Sequence, residues 1–113
     1  MLIVDKKLTR KELSEIALNF FTEMVKGIVD VEREILAIDA EMHADLESFL
    51  LERGCCQKNL WGINLYPDLS AESFIEYDSM INIRPSQNNR SRGVEDPILR
   101  EKIKNIVESK IDA

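Results

Sequence analysis

Three observations predict a small α+β domain, a four-stranded, mostly antiparallel sheet with an N-terminal and a C-terminal helix packed on one face. Apolar residues recur at helical spacing near both ends of the chain. Alternating apolar and polar residues occupy the middle. The connection between the two clearest alternating segments is short enough for antiparallel pairing. The 113 residues, 44% apolar and 32% charged, suit a single domain over 1–113 with a buried core.

The first helix is expected from about residue 10 to 24. Thr9 and Glu12 form a capping box, and Leu8 and Leu13 fall at the positions of a hydrophobic staple. Leu13, Ile16, Ala17, Phe20 and Met24 then mark one apolar face.

Residues 25–53 admit two readings. The spacing of Met24, Ile28, Val31, Ile35, Ile38 and Met42 would extend that helix. A helix over 10–52 would be ~60 Å long at 1.5 Å per residue, and would imply an oligomer. Gly27, the Val and Ile enrichment and the alternation over 29–32 favour a hairpin instead. It would carry a bulge near Arg33, a turn at Asp39 and Ala40, and a second strand over about 43–52.

Two further strands are expected. Trp61, Ile63 and Leu65 alternate with Gly62, Asn64 and Tyr66 before Pro67. The segment from Phe74 to Arg84 alternates in the same way and ends at Pro85. The last helix begins at the N-cap Asp96 with Pro97 in first position, and Leu99, Ile103, Ile106, Val107 and Ile111 form its stripe.

No apolar run reaches the ~18–20 residues of a membrane span. The N-terminus reads apolar before basic, the reverse of a secretory signal, so a cytoplasmic protein is expected. The only cysteines are the neighbours Cys55 and Cys56, which make neither a disulfide scaffold nor a four-ligand zinc site. No metal or other cofactor is expected, and the chain has no phosphate-cradling glycine loop and no nucleophile elbow.

The net charge of −6 makes a nucleic-acid partner unlikely. The charge is unevenly spread. The segment from Arg84 to Gly93 holds three arginines and no acid, leaving 12 cations against 21 acids elsewhere. Arg84, Arg90 and Arg92, with Gln87, Asn88 and Asn89 as hydrogen-bonding groups, could hold a small anionic ligand, because guanidinium makes bidentate contacts to carboxylate or phosphate. The alternative is a surface loop whose arginines pair with neighbouring acids. Conversely, residues 30–52 carry eight acids. They form either a solvated face or the seat of a basic partner, such as the arginine loop of a second copy.

His43 is the only histidine and the one side chain suited to proton transfer near neutrality. On a strand, Asp45 would share its side and could orient the imidazole. Asn64 and Tyr66, and likewise Asn82 and Arg84, share strand faces. Together with His43 and Asp45, on the open face of the sheet, they could line a polar platform beside the arginine loop.

Four pieces are distinctive together: residues 29–33 (Val-Asp-Val-Glu-Arg), 41–45 (Glu-Met-His-Ala-Asp), 60–67 (Leu-Trp-Gly-Ile-Asn-Leu-Tyr-Pro) and 81–91 (Ile-Asn-Ile-Arg-Pro-Ser-Gln-Asn-Asn-Arg-Ser). On these the chain resembles a family of short prokaryotic proteins catalogued as a domain of unknown function. The resemblance spans about residues 10–111. It implies a stand-alone cytosolic protein, carries over no activity and no site residue, and leaves the hairpin question open.

Three functional readings follow. The first is a binding or regulatory module using the arginine loop for an anion. The second is a small hydrolase or nuclease, with His43 as general acid/base and arginines stabilising negative charge. The third is a structural homo-oligomer.

Overall fold

The computed structural model describes residues 1–112. Thr9 caps α1 (Arg10–Ala17) with both hydrogen bonds of the expected capping box, each 3.1 Å. The helix then stops seven residues before its expected end. The Ala17 carbonyl accepts from both Phe21 N and Thr22 N, and Thr22 takes a left-handed φ of 67°. Phe20, expected on the inner face, is therefore thrown outward and is 50% exposed.

Residues 25–38 are a hairpin, β2 (Val25–Asp30) paired with β3 (Ile35–Ile38). Its reversal lies over residues 31–34, not at Asp39 and Ala40. The Asp30 carboxylate accepts from the backbone N–H groups of Glu32 (2.9 Å) and Arg33 (3.0 Å), and Glu34 has a left-handed φ of 55°. The expected bulge near Arg33 is the turn itself, built on an aspartate side chain.

The expected second strand over 43–52 is a helix, α2 (His43–Leu51). Its buried residues, His43, Leu46 and Leu50, are spaced three and four apart, and it supplies the cover that the second sheet face requires.

The sheet has five strands among the described residues, in the order β1-β3-β2-β4-β5, with every pairing antiparallel. Five strands replace the expected four because the strand expected through Arg33 divides into β2 and β3, the strand expected over 43–52 is α2, and β1 (Leu2–Ile3) is added, paired with β3. Two residues carry too little alternation to be seen in sequence. β4 (Leu60–Leu65) lies between β2 and β5 and is wholly buried. β5 is only Ile75–Glu76, not 74–84. Ser79 ends the extended run, because its hydroxyl accepts from Ile81 N and starts a 3-10 turn over Met80–Asn82.

The pleat sorts the core into two layers. Val25, Val29, Leu36, Ile38, Trp61, Ile63 and Leu65 share one cluster with Leu13 and Ala17 of α1. Ile103, Ile106 and Val107 of α3 (Pro97–Lys110) belong to it too. Ile28, Ala37 and Leu60, the alternate strand residues, pack instead with Leu46 and Leu50 of α2. No helix among the described residues is long and apolar enough to cross a membrane.

Candidate functional site

β4 pairs with β5 only at Asn64 and Leu65, so its other residues present a bare edge inside the molecule. Asn82 closes it with a side chain. Its Oδ1 accepts from Gly62 N at 2.8 Å and its Nδ2 donates to Gly62 O at 3.0 Å. The amide thus reproduces the donor–acceptor pair of a neighbouring strand. Nδ2 also donates to Arg92 O at 2.9 Å.

Arg84 continues the closure. Its guanidinium donates to the carbonyls of Leu60, Gln57 (2.7 Å) and Ile81 (3.1 Å), and lies 4.1 Å over the Trp61 ring. Burial pulls its pKa below the ordinary arginine value, against the pull of Glu47. Gln87 accepts from Arg84 and donates to Lys58 O at 2.9 Å.

The rest of the loop is organised from inside by Asn89, which is 3% exposed. Its amide donates to the carbonyls of Asn82, Ser91 and Gly93, and its Oδ1 accepts from Glu95 N. Asn88 takes the left-handed φ of 60° that ends the turn over Pro85–Gln87. The backbone N–H groups of Arg90 and Ser91 both point at Glu95, 2.7 and 2.8 Å from its Oε2. These bonds hold the Glu95 carboxyl below its usual range. The loop's own anion-binding concavity is thus filled by its own carboxylate. Arg92 pairs with Asp78 at 2.7 Å. Arg90 is the one arginine of the three whose side chain makes no hydrogen bond or ion pair with the described residues.

His43 opens α2 and is 8% exposed. Its Nε2 lies 2.8 Å from the Ile63 carbonyl. A carbonyl only accepts, so Nε2 carries the proton. Burial, opposed by that hydrogen bond, lowers the imidazole's pKa from 6.5. Asp45 does not orient it. Two residues along a helix turn through about 200°, and Asp45 faces a different cavity. Asn64, on the same sheet face, donates to Glu76 Oε1 at 2.8 Å, while its own Oδ1 is buried without a partner among the described residues. His43, Asn64 and Asn82 thus gather around β4. Arg84 lies at that strand's edge, and Asp45, Arg90 and the turn residues lie elsewhere.

The two cysteines are free. Cys55 is buried beside Asp30, and burial first, then Asp30, pushes its thiol up to about 11. It is a core residue rather than a nucleophile at neutral pH.

An open cleft of about 470 Å³ lies where the loop after α1 meets the β3–α2 connection and α2. Asp39, Glu41, Asp45 and Glu52 bring four carboxylates to it, and Met1, Phe20 and Phe49 bring apolar surface. Neither ion pair among the described residues, Lys7–Asp112 or Arg92–Asp78, involves any of these acids. The backbone that shapes the cleft is pinned. Asp39 holds a left-handed φ of 73°, and its Oδ1 accepts from Asn19 Nδ2 at 2.8 Å.

The family described as "Protein of unknown function (DUF5674)" matches residues 2–110. The chain belongs to DUF5674. No curated protein and no solved structure matches it. The DUF5674 match spans every strand and helix described above and every cleft-lining residue except Met1.

Of the cleft residues in this DUF5674 chain, only Asp45 was singled out by sequence, and for another role. The available signal was the run of acids over 30–52, read as a solvated face or the seat of a basic partner. Phe20 misled, because its helical spacing continues past the point where the helix stops.

Proposed function

We propose that this DUF5674 chain is a binding module that takes a cationic partner in the acid-lined cleft. The observation that carries the reading is the cleft itself: four carboxylates outside any ion pair among the described residues, set beside exposed aromatic surface. Unpaired acids of one sign in a concavity raise the local concentration of cations and speed their capture.

The arginine loop supports an anion site less well. Arg84 is spent on backbone carbonyls and Arg92 on Asp78, so one guanidinium of three remains. The hydrolase reading loses its orienting carboxylate, because Asp45 faces the cleft while His43 holds Ile63 O.

The test is an NMR titration of the whole chain with spermidine at low salt. Backbone shifts centred on residues 39–52 and around Phe20 are expected, and they should weaken as salt rises. They should also weaken in a Glu41→Gln, Glu52→Gln variant. Shifts absent from the cleft, or unchanged in that variant, would overturn the reading.

A further inference from the structure

The cleft does not read as a site for charge alone. Phe20 is 50% and Met1 57% exposed at its wall. Met42, next in the chain to the lining residue Glu41, is 55% exposed. Apolar surface of this kind in an acidic rim is costly to leave in water, and none of the three residues belongs to either core cluster. Methionine and phenylalanine supply, respectively, adaptable and rigid contact area. A free polyamine would satisfy the carboxylates and leave this surface unused. Phe49, the other aromatic of the wall, already carries a guanidinium, Arg53, 3.6 Å from its ring centre. Arg53 does not itself line the cleft, so the apolar wall left for a partner is chiefly Phe20 and Met1.

Resting on the cleft reading above, we infer that the occupant is an amphipathic, Lys/Arg-rich helical segment of a partner protein. Its apolar side chains lie on Phe20 and Met1, and its cations face Asp39, Glu41, Asp45 and Glu52. This is the helix-in-groove mode of recognition, with apolar anchors at spacings of three and four and charge setting orientation. The charge complementarity follows from the cleft's own composition: its lining side chains include four carboxylates and no Lys, Arg or His, and the Met1 α-amino group is the one cation among the described lining residues.

Three probes separate this inference from the reading beneath it. The first is a synthetic peptide with Leu at helical spacing and Lys elsewhere. The second is the same peptide with Ser at every Leu position. The third is spermidine. Calorimetric titration of the whole chain should give the Leu peptide at least about tenfold tighter binding than the Ser peptide, the scale of one or two buried side chains. Phe20→Ser should remove that advantage, so that the Leu and Ser peptides bind alike, and Phe20→Leu should retain it. Phe20 is half exposed, so both variants are expected to fold, and a thermal melt checks this. Equal affinities for the two peptides, or an advantage that survives Phe20→Ser, would overturn the amphipathic partner while leaving the cationic site standing. Failure of all three probes to bind would overturn both.

Discussion

At the residue scale, the polar side chains of residues 82–95 serve mainly as backbone. Asn82 stands in for a strand, Arg84 gathers carbonyls, and Asn89 ties the loop's turns together. Removing such a group leaves buried partners unsatisfied, which costs more than the lost bond is worth. Asn82→Leu should therefore destabilise the fold by about 2–4 kcal/mol in urea titration, because Gly62 loses both partners at once. Arg84→Lys should cost about 1–3 kcal/mol, since an ammonium cannot reproduce the fork or the stacking on Trp61. Arg92→Lys should stay within about 1 kcal/mol of wild type, because its pair with Asp78 is half in solvent. A result with Arg84 tolerant and Arg92 sensitive would reverse the assignment. Gly62 belongs to the same arrangement. A Cβ there would lie 2.5 Å from Ser79 Cβ, so Gly62→Ala forces two packed segments apart.

At the element scale, α2 decides the pH response. His43 sits at its first position, buried, donating to Ile63 O, with Lys26 and Arg92 nearby on the unfavourable side and Asp78 on the favourable one. Its folded pKa lies below 6.5, so the unfolded chain binds the proton more readily. The neutral ring's contribution is complete above 6.5 and is lost as pH falls from 6.5 towards the folded value. Stability measured by urea unfolding should decline over that window, and His43→Gln should flatten the decline. An unchanged slope in His43→Gln would assign the response to the carboxylates instead. The same helix explains why the imidazole and Asp45 part company, since the spacing that pairs them on a strand separates them on a helix.

At the scale of the whole molecule, the acidic balance has an address. The described residues hold only two ion pairs, both on exposed groups, and the cleft acids join neither. Glu41→Gln and Glu52→Gln should leave stability within about 0.5 kcal/mol, as exposed substitutions do, while reducing the affinity for spermidine. A large loss of stability with unchanged binding would make these acids structural. At the opposite pole, the arginine loop, Arg84 is bound to backbone carbonyls and Arg92 to Asp78, so only the exposed Arg90 is left unpaired among its three arginines.

Much of the architecture was legible. The capping box at Thr9 and Glu12, the alternation from Trp61 to Leu65 and the Asp96–Pro97 start of the last helix are local patterns, and local patterns survive folding. Strand structure after Val25 was legible as well, but the pairing was not: the chain reverses where a bulge was expected, and the expected second arm over 43–52 is a helix. Asp30 makes that turn by a side-chain bond that alternation does not record. Residues 43–51 form a helix because their buried residues, His43, Leu46 and Leu50, must cover the second sheet face, a demand that is not local, and residues 77–84 leave the extended run because one serine hydroxyl can end a strand. The sequence by itself determined the α+β class, the two end helices and the uneven charge, since each depends on near neighbours along the chain. Only the tertiary structure decided which polar groups are free. The second sheet face needed a helix to cover it, and the bare edge of β4 needed donors and acceptors. Those long-range demands consumed Arg84 and the histidine and left the acids of the cleft outside any ion pair.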